Sequence, residues 1–425
     1  MGSQPRPGPP LIAGDHCLPE YVPMQWSQKE IRDAIPSRMF ERSTTLGIMY
    51  LARDLVIATL LWYCATAIDP AFGGARACTT LGGTGALMVR LLLWGIYWWF
   101  QGLTFTGLWV IGHECGHSSF SPSRTLCNVV GYVLHTALWT PYFSWKYSHH
   151  SHHSHHASME KDEFYIPSTR SQLGLPSENH PSIDYEEYLG DTPLYTLFKL
   201  MRQQLLGFPA YLLANASGQT SYPRWTNHFN PRAVLFNSRQ RNAILLSDLG
   251  IIFMVWLVTY FNSTIGTARV VKYYGIPWLA VSNWVTMITY LQHTDPLLPR
   301  FRGAAWTFQR GAASTVDRNF LGWQGRFFFH DVAHFHVIHH YFPQMPFYHG
   351  EEATRHLRAF IGEHYMHSNA PVLKTLWENY NFCQFVEDRG GIVFFKNRRG
   401  QAARRPAKRW VDLTADEPHA TIDPL

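Results

Sequence analysis

Residues 91–117 read LLLWGIYWWFQGLTFTGLWVIGHECGH. From Leu91 to Gly112 no side chain is charged over 22 positions, and the run ends directly on two histidines, His113 and His117. That length meets the roughly 20 residues needed to cross a ~30 Å hydrocarbon core. A helix through the run continues outward and presents His113 and His117, one turn apart, on one face above the bilayer. The fold therefore reads as all-α and integral to a membrane, with its chemistry at the membrane surface.

Working outward, an earlier apolar run covers 46–68, broken by the adjacent charges Arg53 and Asp54, which read as a pair near an interface. The connector 69–84 holds Gly, Pro and one basic residue, Arg76. Spans at about 46–68 and 88–112 thus form a hairpin with both ends on one side. A second hairpin is expected from 244–261, where Asp248 is the one charge, and from 275–292, which has none, joined by 262–274. Together these give four transmembrane helices in two hairpins. The connectors carry only Arg76, Arg269 and Lys272, whereas Arg38, Arg42, Arg239 and Arg241 flank the other ends. The positive-inside bias places the histidines and both termini in the cytosol. The apolar stretch 126–143 is expected to lie in the interface or dip in and return, because the patterns on either side of it must share a side. Residues 194–216, interrupted by Lys199 and Arg202, are expected to be interfacial too.

Composition supports this reading. A mean hydropathy of −0.16 looks soluble, but the apolar residues are bunched. Charged residues are only 16%, and the 16 Trp suit interfacial belts. The net charge of +6 comes largely from Arg398–Arg409, which suits contact with anionic lipid and carries no nucleic-acid pattern. Six scattered cysteines suggest no disulfide framework and fit a reducing compartment. No signal or transit peptide pattern precedes the first span. Residues 1–26 are expected to be a disordered, Pro-rich segment. A membrane domain follows over 27–398, opening on a capping box of Ser27 and Glu30 and a short helix that reads either as lying on the membrane or as packing on the soluble part. Residues 399–425 are expected to be a basic, disordered tail.

Of the 23 histidines, three sets share helical spacing. His113 and His117 are i, i+4; His149, His152 and His153 are i, i+3, i+4, as are His336, His339 and His340. His293 follows at once where the uncharged run 275–292 ends, matching the position of His113, and is a candidate ninth ligand. Imidazole suits Fe, Zn and Cu, and eight or nine imidazoles exceed what one ion takes, so two metals are implied. No cysteine joins the pattern, which argues against structural zinc; Cys115 is expected to point away. Two irons with open positions would activate O2. A zinc-protease reading of HECGH, with Glu114 as base, leaves six patterned histidines unexplained. Glu114 reads better as the carboxylate that orients an imidazole through its second N–H. A His-rich metal transporter remains a distant alternative, suggested by SHHSHHSHH at 148–156. His150, His155 and His156 break the ligand pattern and are expected at the surface.

These patterns, H-x-x-x-H and H-x-x-H-H twice, resemble those of the membrane fatty-acyl desaturases and their hydroxylase relatives. The likeness extends through DAIPSRMFERS (33–43), WVIGHECGH (109–117), PYFSWKYSH (141–149), DEFYIP (162–167), YLQHTDP (290–296), TVDR (315–318) and MPFYHGEEAT (345–354). It covers roughly 27–398 and is most similar to the oleate Δ12-desaturase branch; LQHTDP and FFKNR (394–398) have a fungal look. The resemblance implies a multi-pass endoplasmic-reticulum enzyme with a cytosolic cap holding two non-haem irons. It implies O2 as oxidant, cytochrome b5 and its reductase as separate electron donors, and an acyl-lipid substrate, phospholipid or acyl-CoA, in a bent tunnel. The product implied is a cis double bond at Δ12 of an oleoyl-type chain. The ligands carried over are His113, His117, His149, His152, His153, His336, His339 and His340, with His293 as the ninth.

Two positions depart from the usual pattern of that branch. Ser118 stands where its members carry a histidine or a larger polar residue. His334 stands where they usually carry an acidic residue, and the third pattern then looks more like that of divergent members that make acetylenic bonds. His334 is therefore expected beside the metal site, tuning it together with Glu114. The alternative reading is an acetylenase, or another divergent Δ12-type enzyme, acting on linoleoyl chains for specialised metabolism.

Overall fold

The protein is described by a computed structural model over residues 18–178, 180, 183–408 and 410. Ser27 and Glu30 form the expected capping box at the head of α1 (Gln28–Asp33). Ile31 of this helix is fully buried against Val337, Ile338 and Leu357, so α1 packs on the soluble part. The Ser43 hydroxyl accepts the Leu46 N–H and starts α2 (Thr44–Thr66). Helix α3 (Ala75–His117) holds one non-helical residue, Gly82 at φ 71°, ψ 155°, and closes at Ser118 in the left-handed region. It is followed by α4 (Arg124–Ala137), α5 (Tyr142–His155), α6 (Pro193–Ala214), α7 (Arg241–Ile265) and α8 (Ile276–His293). Two helices of the cap, α9 (His336–Tyr341) and α10 (Gly350–Ile361), carry and cover the third histidine pattern.

Among the described residues, three stretches are long and apolar enough to cross a membrane: Thr44–Phe72, Ala75–His117 and Ser238–Ile265. They turn Leu60, Tyr63, Leu92, Leu249 and Ile252 outward, where hydrocarbon rather than water would satisfy them. The fourth expected span, α8, is not in that group. Its polar Ser282, Thr286 and Gln292 are buried where the helix packs against α3 and α6. Gly102 permits the close α3–α8 approach, since a Cβ there would lie 2.5 Å from the Cβ of Ala280. At 14 residues, α4 is about 21 Å long and too short to cross. It folds back beside α3 and α7.

Arg53 and Asp54 pair, as their adjacency suggested, at 2.9 Å. They also tie α2 to the cap: Arg53 donates to the Phe327 carbonyl at 2.8 Å, and Asp54 is 2.7 Å from His330 Nε2. At the opposite end of the helices, Asp69 accepts Arg90 at 2.7 Å and Trp94 at 3.0 Å, and pairs with Lys272. The first connector thereby meets the second.

Three two-residue ladders pin the cap. β1 (Glu20–Tyr21) pairs in parallel with β6 (Arg405–Pro406), β2 (Arg300–Phe301) antiparallel with β5 (Ile392–Val393), and β3 (Asp317–Arg318) in parallel with β4 (His367–Ser368). The β1–β6 pair moves both expected domain boundaries. Tyr21 and Met24 are buried, as are Ala403 and Ala407, so ordered structure extends beyond 27–398 at each end. The remaining residues expected to be disordered, 1–17 and 411–425, lie outside the described residues.

Candidate metal centre

Helix α3 delivers His113 and His117 on one face, and α5 lies across it with His149 and His153. One ring nitrogen from each of these four and from His339 of α9 lies within 4.8 Å of all the others. The Nε2 atoms of His149 and His153 are 3.1 Å apart. A second cluster gathers His293, from the last residue of α8, with His336 and His340 of α9. Here Nε2 of His336 is 3.3 Å from that of His293 and 3.0 Å from that of His340. His152, on α5 between the ligand candidates of the first cluster, turns to the second; its ring centroid is 4.8 Å from that of His293 and 5.3 Å from that of His340. All nine histidines singled out by spacing and position are thus brought together, in two adjoining groups.

Two carboxylates stand behind these rings. Nδ1 of His113 donates to Glu114 Oε1 at 3.1 Å, and the Ser119 hydroxyl donates to Glu114 Oε2 at 2.6 Å. His152 donates Nδ1–H to Asp162 Oδ1 at 2.7 Å, while Asp162 Oδ2 accepts the Ala157 N–H at 2.8 Å. Fixing Nδ1–H in this way leaves Nε2 of each ring as a lone-pair donor, the arrangement that metal-binding histidines use. Nε2 of His117, His152 and His339 is buried with no hydrogen-bond partner.

Burial works against a charge on most of these imidazoles. Burial, then the neighbouring rings, holds His149, His153, His336 and His340 well below the usual histidine value. Burial pushes His339 down to about 3. Burial works to raise Asp162, but His152 and His156 outweigh it and hold the carboxyl well below its usual range. Buried, all-nitrogen donor sets whose ring nitrogens lie within 4.8 Å of one another fit transition-metal ions, which suit imidazole.

Three expectations are corrected. His156 is not at the surface: it is 1% exposed, and its ring packs against those of His152, His293 and His340. His155 is half-buried, stacked on Trp306, and His150 alone of the three is exposed. His334, expected beside the metal site, has no ring contact with either cluster among the described residues. It lies 4.0 Å from Asp331, near Gly325, because it precedes α9 by two residues and points away from the face that carries His336. Asp162 was not singled out at all; a carboxylate shortly downstream of a histidine pattern was the available signal.

A cavity lies against both clusters. His113, His149, His152, His293 and His336 line one part, and Trp109, Val110, Phe208, Tyr211, Val285 and Ile288 line the rest. Its lining comes mostly from α3, α5, α6 and α8, so an apolar molecule held in it would lie beside the imidazoles.

Apolar helices of membrane-crossing length beneath buried polyhistidine clusters define a helical protein able to hold metal beside an apolar cavity. The chain belongs to the fatty acid desaturase family, whose model matches residues 90–371. It is 44% identical to a Δ12 fatty acid desaturase of Mortierella alpina, over 92% of this chain and 94% of that one. A Δ12 fatty acid desaturase of Mortierella isabellina is 43% identical over the same shares. An oleate hydroxylase of Claviceps purpurea is 38% identical over 89% of this chain and 82% of its own. Membership makes the protein an oxidoreductase, of the branch that contains the oleate Δ12 enzymes.

Proposed function

We propose that the protein is a membrane di-iron fatty-acyl desaturase that places a cis double bond at Δ12 of an oleoyl-type chain, using O2 and electrons from cytochrome b5 and its reductase. The observation that carries this reading is the cavity, whose apolar walls end on five imidazoles. The clusters would hold iron, which when bound would supply the O2 chemistry that desaturation of an unreactive methylene requires. First-cluster ligands are His113, His117, His149, His153 and His339; second-cluster ligands are His152, His293, His336 and His340. Trp109, Val110, Phe208, Val285 and Ile288 exclude water and hold the methylenes. Glu114 and Asp162 keep Nδ1–H of His113 and His152 turned outward. The Tyr211 hydroxyl is paired with Ser148, 3.0 Å away, and Ser148 with His228, so this wall presents an aromatic face to the chain.

The proposed topology has α8 as the fourth span, an endoplasmic-reticulum location and a cytosolic site. The Asp69–Lys272 pair supports it, because it joins the two connectors at one end. Asn215-Ala-Ser and Asn262-Ser-Thr match the glycosylation pattern. Glycan on Asn215 would overturn the orientation.

Expression in yeast followed by acyl-chain mass spectrometry tests the activity. Linoleate made from endogenous oleate is the expected product; its absence sinks the Δ12 reading. The second reading is a divergent activity, such as an acetylenase acting on fed linoleate. It is supported by relatives named as an oleate hydroxylase and as fatty acid conjugases. Linoleate as the sole new product counts against it. About two irons per chain in purified protein are expected, whereas variable zinc would favour a transporter.

A further inference from the structure

His156 lies outside the three ligand patterns read from the sequence, yet its ring sits within the second cluster. Its centroid is 4.5 Å from His340, 4.6 Å from His293 and 4.9 Å from His152. Those spacings match the ones between rings of the first cluster, such as 4.7 Å for His113–His117 and 4.8 Å for His113–His339. A ring nitrogen of His156 lies within 4.8 Å of one from His152 and one from His340. The first cluster has five imidazoles, and the second has four without His156.

The hydrogen bonding of this ring is unresolved as it stands. A neutral imidazole carries one N–H. Here both ring nitrogens face oxygen acceptors: Nε2 is 3.0 Å from the Ser314 carbonyl, and Nδ1 is 3.2 Å from Asp162 Oδ2. Whichever nitrogen holds the proton, the other turns a lone pair on an oxygen in a fully buried position, which is costly. Asp162 already holds Nδ1–H of His152 with its other oxygen. If it holds Nδ1–H of His156 as well, Nε2 is left as a donor in need of a cation.

We propose that His156 is the fifth imidazole of the second metal position, with Asp162 gripping it and His152 alike and Nε2 exchanging the Ser314 carbonyl for the metal. The inference rests on the reading that the two clusters hold metal. It gives the second position a fifth nitrogen donor that the three patterns and His293 do not supply.

The test uses full-length protein in detergent, loaded anaerobically with ferrous iron, desalted and counted by elemental analysis. Wild type is expected to keep about two ions, and H156A to lose one of them on the order of 10- to 100-fold more readily. H155A, altered on a ring outside the cluster, is expected to keep both; an equal loss there would overturn the inference by tracing it to the end of α5. H156A that holds two ions as firmly as wild type would overturn it too. Should H156A fail to fold, a metal-loaded structure of the wild type decides: His156 Nε2 about 2.1 Å from the ion supports the assignment. Nε2 still on Ser314 refutes it and leaves the di-metal reading intact. Wild type that binds no metal would refute that underlying reading instead.

Discussion

The two imidazole clusters are built in different ways. Four of the five rings in the first come from α3 and α5, two helices in contact with each other, and only His339 arrives from elsewhere. Its carboxylate, Glu114, sits on α3 itself and is held by Ser119 five residues on. The second collects rings from the last turn of α5, the last residue of α8 and the short helix α9. Its carboxylate, Asp162, comes from a loop, fixed by the Ala157 N–H and lying 3.6 Å from the fully buried Arg300. Four rings of the first cluster are therefore in place once two helices dock, and the cap adds the fifth. The second exists only when the loops of the cap have also closed, so its geometry shares the fate of the less regular part of the molecule.

That contrast can be broken experimentally. The largest effect is expected from H336A, which should abolish product and release the second ion while leaving membrane insertion and the first ion unchanged; iron counts and acyl profiles read both. D162N should weaken one of the two ions by 10- to 100-fold, the usual cost of removing a carboxylate behind a metal-bound histidine. Graded chelation of wild type should pass through a state with about one ion per chain, the survivor held by the first cluster; simultaneous loss would mean that the clusters stand or fall together. E114Q should cost less than D162N, about tenfold or under, because α3 positions His113 without help. An equal or larger loss in E114Q would show that helix packing alone does not fix the first cluster. S119A, which removes one hydrogen bond from Glu114, should cost the least, about 1 kcal/mol in metal binding.

The same contrast explains what was legible in the sequence. Helical spacing is a local signal, and it was enough to group His113 with His117 and His149 with His153 on their faces. His293 was found from where an uncharged run stops. His156 follows His152 by four residues, so the spacing signal was present, but it was masked by the run of alternating serines and histidines that resembles a solvated tract. What settles it is that the chain leaves α5 at His156, at φ −50° and ψ 139°, and carries the ring inward. Asp162 obeys no periodicity relative to His152, and its role depends on a loop closing through Phe301, whose N–H and carbonyl bond Ala157 and Met159. His334 misled for the opposite reason: its neighbours in sequence belong to the site, whereas its side chain does not. The chain ends were misjudged because a two-residue parallel ladder between residues 20 and 405 leaves no local trace.

Helix α3 beyond Gly82 runs unbroken for 35 residues to His117, about 52 Å at 1.5 Å per residue. A hydrocarbon core is ~30 Å, so the helix is a mast longer than a span, with two of the five rings of the first cluster at its tip. A mast converts tilt into height: leaning by about 20°, an ordinary angle for such helices, lowers its tip by about 3 Å. The depth at which an acyl chain meets the imidazoles is then partly a property of the bilayer. Were the lean of this one helix to follow lipid thickness, the bilayer would become a mechanical input to an oxidation carried out above it.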